Sequence, residues 1–298
     1  MALEASTVGE NDAQRLQSES CATYTGGKLE SARYFDFADG QIYTVTHAAL
    51  VPRRGALLLC GPFGIERERA YLTLVQWART LAARGFDVMR FDYGGNGEST
   101  GSFEDMTFAR WRENAALCAA RLSAVTHGCA LVIQGTRFGA LIAAELFACG
   151  IGDGLLLWEP PVSAEALLRD TLRHNLVGQR MAHPETTPRL REQLIAALDA
   201  GELVNVDGYF WRRAFWMEAQ LHPLILPSAS ERRPWHAMHV QSRAGASSET
   251  STPLRPESVD ADTFWNSSSP LLVPHCEGFF RASLRWLDEN EPWHGRNA

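Results

Sequence analysis

Three nearly continuous apolar runs, GALLLCG, CALVIQG and GLLLW, constrain the fold of this chain more than any other feature. Runs of this length without alternation are expected of strands buried on both faces of a sheet. FDVMRFDYGG reads as a fourth strand, and between the four lie segments with apolar residues at helical spacing: RERAYLTLVQWARTLAARG, MTFARWRENAALCAARLSAV and FGALIAAELFACG. Strands alternating with helices predict an α/β fold with a mostly parallel, doubly wound sheet, and exclude an all-β or bundle architecture. A chain of 298 residues, 45% hydrophobic, can fill one such core, so a single domain with an insertion is expected.

The flanks complete the outline. ARYFDF and QIYTVTHAAL bracket Asp39-Gly40, a hairpin signal, so two antiparallel strands should open the sheet at one edge. Residues 1–31 are polar and read as a flexible segment ahead of a domain spanning 32–298. They contain neither the basic start nor the apolar run of a secretory signal, and no stretch reaches the ~18 apolar residues of a membrane span. The six cysteines are scattered without C-x-x-C spacing, which points to reduced thiols and a cytoplasmic setting. A net charge of -7 argues against a nucleic-acid partner.

After Pro161 the alternation stops. SAEALLRDTLRHNLVGQRM and PRLREQLIAALDAG read as amphipathic helices, and GYFWRRAFWMEAQLHPL concentrates aromatic residues, Tyr209 and Trp211 among them. These residues, about 162–233, are expected to form a helical cap whose aromatic side chains close over an apolar pocket. The sheet should resume at RRPWHAMHVQS, followed by a loop, GASSETSTPLRPES, a last strand at ADTFW and a closing helix at GFFRASLRWLDEN.

The chemistry concentrates at CALVIQGTRFGALIAAELFA. A strand, then Gly135-Thr136-Arg137-Phe138-Gly139, then an apolar helix is the context of a nucleophile elbow, G-x-S-x-G, the mark of an α/β-hydrolase fold. Arg137 stands where the serine would be. A guanidinium stays protonated and has no lone pair to offer, so it cannot attack a carbonyl. The loop CGPFGIE, after the first buried parallel strand, occupies the place of an oxyanion loop. Phe63, Gly64, Glu66 and Phe138, with Tyr209 and Trp211 from the cap, are the candidate oxyanion or substrate-binding residues. FDYGGNGEST, with Asp92 and Ser99, is expected to be scaffold.

A base and an acid must be sought elsewhere. His275, before the closing helix, is the candidate base, and Glu159, at the end of LLLW, the candidate acid, with a residue after HVQS as its alternative. His236 and His239 are three apart on a strand and so face opposite ways, which excludes a metal pair, and no cofactor is expected. Cys60 lies near the oxyanion loop but reads as a buried apolar residue. Arg137 would stand at a helix N-terminus of its own sign, so the site must hold an anion: Glu66, Glu98, Glu159, or a ligand carboxylate or phosphate.

PFGIERERAY, GTRFGALIAAE, LLLWEPPVSAEALLRDTLRHNL, GYFW and TFWNSSSP together resemble the exosortase A system-associated hydrolases, second type, a group similar to the serine aminopeptidase branch of the α/β-hydrolase superfamily. The likeness spans about Gly55 to Asp288 and is most specific at the arginine elbow and at Leu157 to Arg173. It departs at Ile65, where the group has a second acidic residue beside Glu66. The resemblance implies a setting near exopolysaccharide and acyl-carrier chemistry. Two functional classes follow: an acyl hydrolase or acyltransferase acting on an ester or thioester without a serine, or a pseudoenzyme that holds an acyl ligand, an acyl carrier protein or a partner enzyme. The first is preferred.

Overall fold

The computed structural model describes residues 22–25, 28–38, 40–182, 189–241, 256–266 and 274–290. Four parallel strands form the centre of the sheet: β4 (Gly55–Cys60), β5 (Phe86–Phe91), β6 (Leu131–Thr136) and β7 (Gly154–Trp158). Nearly all their side chains are buried, the condition their apolar runs anticipated. Three antiparallel strands extend one edge: β1 (Ala22–Thr25), β2 (Lys28–Phe37) and β3 (Gly40–His47). The sheet therefore begins earlier than the boundary at Ala32 drawn from the sequence. The β2–β3 hairpin closes at Phe37 opposite Gly40, while Asp39 lies outside the described residues.

At the other edge, β10 (Trp235–Val240) and β11 (Glu257–Val259) add parallel strands, giving the order β1-β2-β3-β5-β4-β6-β7-β10-β11. The last strand is thus Glu257–Val259 rather than ADTFW, whose Phe264 and Trp265 enter a 3-10 turn, Phe264–Asn266. Residues 245–255 of the expected loop lie outside the described residues.

Helix α1 (Gly64–Ala83) covers one face of the sheet; α2 (Phe108–Val125) and α3 (Phe138–Ala148) cover the other. The cap lies between β7 and β10 as α4 (Ala164–Ala182), α5 (Arg191–Asp199), a hairpin of β8 (Val204–Val206) and β9 (Tyr209–Trp211), and α6 (Arg213–Ala219). Part of the aromatic segment is therefore strand rather than helix, turned by Asp207-Gly208. The closing helix, α7 (Glu277–Glu289), packs on the α1 face. Its Ser283 accepts from Trp158 Nε1 at 2.9 Å, and Gln134 accepts from Trp77 Nε1 at 2.6 Å, so these two buried indoles are satisfied.

Polar contacts fasten the cap to the body. Glu218 of α6 accepts from the backbone N–H groups of Phe108 and Ala109, at 2.9 and 3.1 Å, and so caps α2. His222 stacks on Phe108 with ring centroids 3.7 Å apart and meets Glu145 of α3 at 2.7 Å.

The turn between β6 and α3 is the tightest point of the fold. A Cβ on Gly139 would collide with the carbonyl of Cys60, and one on Gly135 with the backbone of Ala140, so neither position admits a side chain. Backbone atoms on the far side cannot yield as a flexible side chain can. Gly139→Ala should lower unfolding stability by about 3 kcal/mol in urea titration. Gly178→Ala, on the exposed face of α4 with open space around it, should raise stability by about 0.5–1 kcal/mol.

Candidate active site

The elbow forms because the two glycines bring α3 against the ends of β4 and β6, leaving the intervening residue a sharp turn. Arg137 takes it at φ 54° and ψ -120°, as the N-cap of α3, with its N–H donating to Trp158 O at 3.0 Å. A non-glycine residue at positive φ costs on the order of 1–3 kcal/mol and persists only where its surroundings impose it. Its side chain is projected above the C-terminal ends of the strands, where open α/β sheets bind ligands.

There Arg137 meets Glu66, from the first turn of α1. Nη2 donates to Oε1 at 2.8 Å and Nε to Oε2 at 3.2 Å, a two-pronged pair. Both side chains are largely buried, 13% and 14% exposed. Trp265 lies under the guanidinium, 5.4 Å from Cζ to ring centroid. Burial alone would lower the pKa of Arg137, but the charge of Glu66 and its hydrogen bonds outweigh that, with a contribution from Glu159, and hold it above its ordinary value. Of the anions considered from the sequence, Glu66 is the one paired with Arg137. Glu98 is exposed, with its N–H bonded to Asp92.

Glu159 follows β7 and also has a positive φ, 48°. Its N–H donates to Met238 O at 2.8 Å, and its Oε2 accepts from the N–H of Val240 at 2.9 Å. The same oxygen lies 3.1 Å from His239 Nδ1. His239 was read from the sequence only as a residue that could not share a metal with His236. The alternation that separates them turns His236 to Glu257 and leaves His239 facing Glu159. Position on a strand gave the face, but only the register of β10 against β7 brings that face to Glu159.

His275 stands apart from this group. Its side chain is 48% exposed, and its ring lies 4.0 Å from Glu277 at the start of α7. Phe63 and Phe138 are buried, with ring centroids 4.7 Å apart, and Trp211 and Phe215 of the cap pack on Phe63 at 6.2 and 5.8 Å. The N–H of Gly64 donates to Asn96 Oδ1 at 3.2 Å, which turns that expected oxyanion donor toward the scaffold. Tyr209 donates to Glu68 at 2.7 Å, and burial followed by that carboxylate pushes its phenol above the usual range. Between the oxyanion loop and the β8–β9 hairpin, with Glu66, Thr171 and Trp211 in its wall, the cavity is only about 10 Å³. The cap thus leaves little space between its hairpin and the oxyanion loop, beneath the aromatic residues expected to close over an apolar pocket.

Ser99 and Cys60, the hydroxyl and thiol nearest the elbow in the sequence reading, are both held in the scaffold. The Ser99 hydroxyl donates to Asp92 O at 2.6 Å and accepts from the N–H of Tyr43 at 2.8 Å. Asp92 is engaged by Arg67 at 2.6 and 2.8 Å. Cys60 is buried, and that burial pushes its thiol far up. The five described cysteines are free, and no group of three or more metal-ligating side chains occurs among the described residues.

No family model and no curated protein matches this chain. Solved structures do. DcsB in complex with its substrate analogue is 12% identical, with a TM-score of 0.58, over 88% of this chain and 99% of that one. Est1E from Butyrivibrio proteoclasticus with bound ferulic acid is 20% identical, with a TM-score of 0.51, over 70% of this chain and 78% of that one. At such identities the likeness is one of fold: the chain has the α/β-hydrolase fold, as its elbow motif predicted.

The pairing of Arg137 with Glu66 has a measurable consequence. Glu66→Gln removes the counter-charge of a largely desolvated guanidinium and should destabilise the protein by about 2 kcal/mol. Adding Arg137→Met should restore more than half of that loss in urea unfolding. If the double variant is less stable than Glu66→Gln alone, the arginine is held by something other than this carboxylate.

Proposed function

We propose that this chain is an acyl hydrolase or acyltransferase that acts on an ester or thioester without forming an acyl-enzyme. The observation that carries the reading is Arg137: a guanidinium, not a nucleophile, occupies the apex of the elbow at the N-terminus of α3. A cation joined to a helix N-terminus is suited to a carbonyl oxygen on which negative charge develops. In this reading Arg137 polarises the acyl carbonyl, and a water or acceptor hydroxyl attacks it directly. Proton transfer falls to the Glu159 side of the site, since His275 is half-exposed and directed at Glu277. Phe63, Phe138 and Trp211 would line the acyl chain once the cap lifts.

The resemblance to exosortase A system-associated hydrolases would put the acyl group on a carrier or a saccharide, with an acyl carrier protein or partner enzyme as the protein contact. A cytoplasmic reaction fits that setting. Among the described residues no helix is long and apolar enough to cross a membrane. A second reading, an acyl-binding pseudoenzyme, is favoured by the pairing of Arg137 with Glu66, which already balances the charge at the elbow in the resting chain.

Turnover separates the two. A panel of p-nitrophenyl esters and acyl thioesters should be hydrolysed with no mass increase of the intact protein, and fluorophosphonate probes should leave the native chain unlabelled. Arg137→Ala should lower kcat about a hundredfold, by loss of an oxyanion-type donor. Stoichiometric labelling of a serine would overturn the non-covalent mechanism. Absence of turnover, together with a rise in melting temperature on adding long-chain acyl ligands, would leave the pseudoenzyme reading in its place.

A further inference from the structure

Three adjacent parallel strands are in register beside the elbow, where β6 and β7 end and β10 continues to Val240. Thr136 of β6 pairs with Trp158 of β7, and Trp158 pairs with Met238 of β10. The next residue in each strand direction is Arg137, Glu159 and His239. Neighbouring strands lie about 4.8 Å apart, so the elbow and the His239 backbone are separated by roughly 10 Å, with Glu159 between them. An imidazole and one small reacting group would be long enough to cover that span.

From this arrangement we infer that Glu159 and His239 form the proton-transfer dyad of the site, with His239 the catalytic base and Glu159 its positioning residue. The inference rests on the reading of an acyl-transfer site at the elbow, and deepens it by naming the proton carrier. Glu159 is fixed before any substrate arrives: its backbone is strained, and its carboxylate is held by the N–H of Val240. The same oxygen sets Nδ1 of His239, which orients the ring as a carboxylate orients histidine in a hydrolase triad. Nε2 has no partner among the described residues, and the side chain is 31% exposed, open to a water. Strain at two adjacent strand ends, Arg137 and Glu159, marks one constellation rather than two unrelated turns.

The chemistry balances without an outside reagent. As the water oxygen bonds to the acyl carbon, its proton passes to His239 Nε2, and negative charge gathers on the carbonyl oxygen beside Arg137. The tetrahedral species collapses with cleavage of the C–O or C–S bond. The imidazolium returns its proton to the departing alkoxide or thiolate, leaving acid, leaving group and the original dyad.

Reach to the elbow can be tested independently of the native substrate. In the full chain, Arg137→Ser with Glu66→Gln puts a hydroxyl at the apex without leaving a buried carboxylate unpaired; circular dichroism and melting establish that it is folded. A fluorophosphonate probe then reports proton removal: the introduced hydroxyl oxygen bonds to phosphorus, fluoride leaves, and the proton goes to the base. The folded double variant should be labelled, and adding His239→Gln should slow labelling about a hundredfold. Adding Glu159→Gln should slow it and Glu159→Asp should retain part of the rate. Imidazole added to the His239→Gly version should restore part of the loss, which a merely structural histidine would not allow. His236→Gln, on the opposite face, should leave the rate unchanged. Labelling insensitive to His239, or a folded double variant that is never labelled, overturns the dyad. Failure of the native chain to hydrolyse any ester or thioester bears instead on the proposed function, so the two failures are distinguishable.

Discussion

The close approach of α3 to the sheet is the constraint on which the site depends. Because Gly139 lies against the carbonyl of Cys60 and Gly135 against Ala140, the three residues between them must complete a strand-to-helix turn in very little space. That forces residue 137 to positive φ and points its side chain above the strand ends, whatever the side chain is. The side chain at that position is largely buried. A serine there would be neutral and small; an arginine brings a charge that must be matched. Glu66 matches it, and in doing so ties the oxyanion loop to the elbow through protein atoms alone.

Much of this was legible in the sequence, for a plain reason. Continuous apolar runs report strands buried on both faces, and the glycines at 135 and 139 report a backbone contact that no other residue tolerates. Both are local signals. Glu66 was one of three candidate partners for Arg137, since sequence gives the charge that must be balanced but not the distance that balances it. The β8–β9 hairpin was missed although VNVDGYFW carries Asp-Gly between flanking residues that alternate in burial, because three-residue strands are too short to show periodicity against an aromatic background. The strand Glu257–Val259 overlaps the end of a Ser/Thr/Pro-rich stretch whose composition argued for a loop.

His239 was hidden by a different limit. Alternation along a strand fixes which residues share a face, but not which neighbouring strand that face meets. The partner is set by register across β7 and β10, a non-local property, and by the positive φ of Glu159, for which a glutamate gives no sign in the sequence. His275 had the opposite history: its place in the chain matched the usual order of a triad, yet its ring faces the start of α7. Chain order is a poor guide where the elbow residue is an arginine and not the serine that defines the order.

The charge balance at the strand ends narrows what the site can accept. An arginine beside a helix N-terminus, taken alone, calls for an anionic ligand. With Glu66 bonded to the guanidinium and Glu159 one strand away, two carboxylates face one cation, and a free carboxylate or phosphate would have to displace Glu66 and then lie near it. Displacement exchanges one charged pair for another and leaves an acid stranded in a desolvated site, which costs several kcal/mol. A neutral carbonyl carries no such penalty: it can approach the outer face of the guanidinium while the pair with Glu66 persists, and gains from Arg137 chiefly when its oxygen becomes negative. On the proposed acyl-transfer reading, the pairing that stabilises the resting chain would bias the site toward the charge of a transition state over that of an anionic ground state.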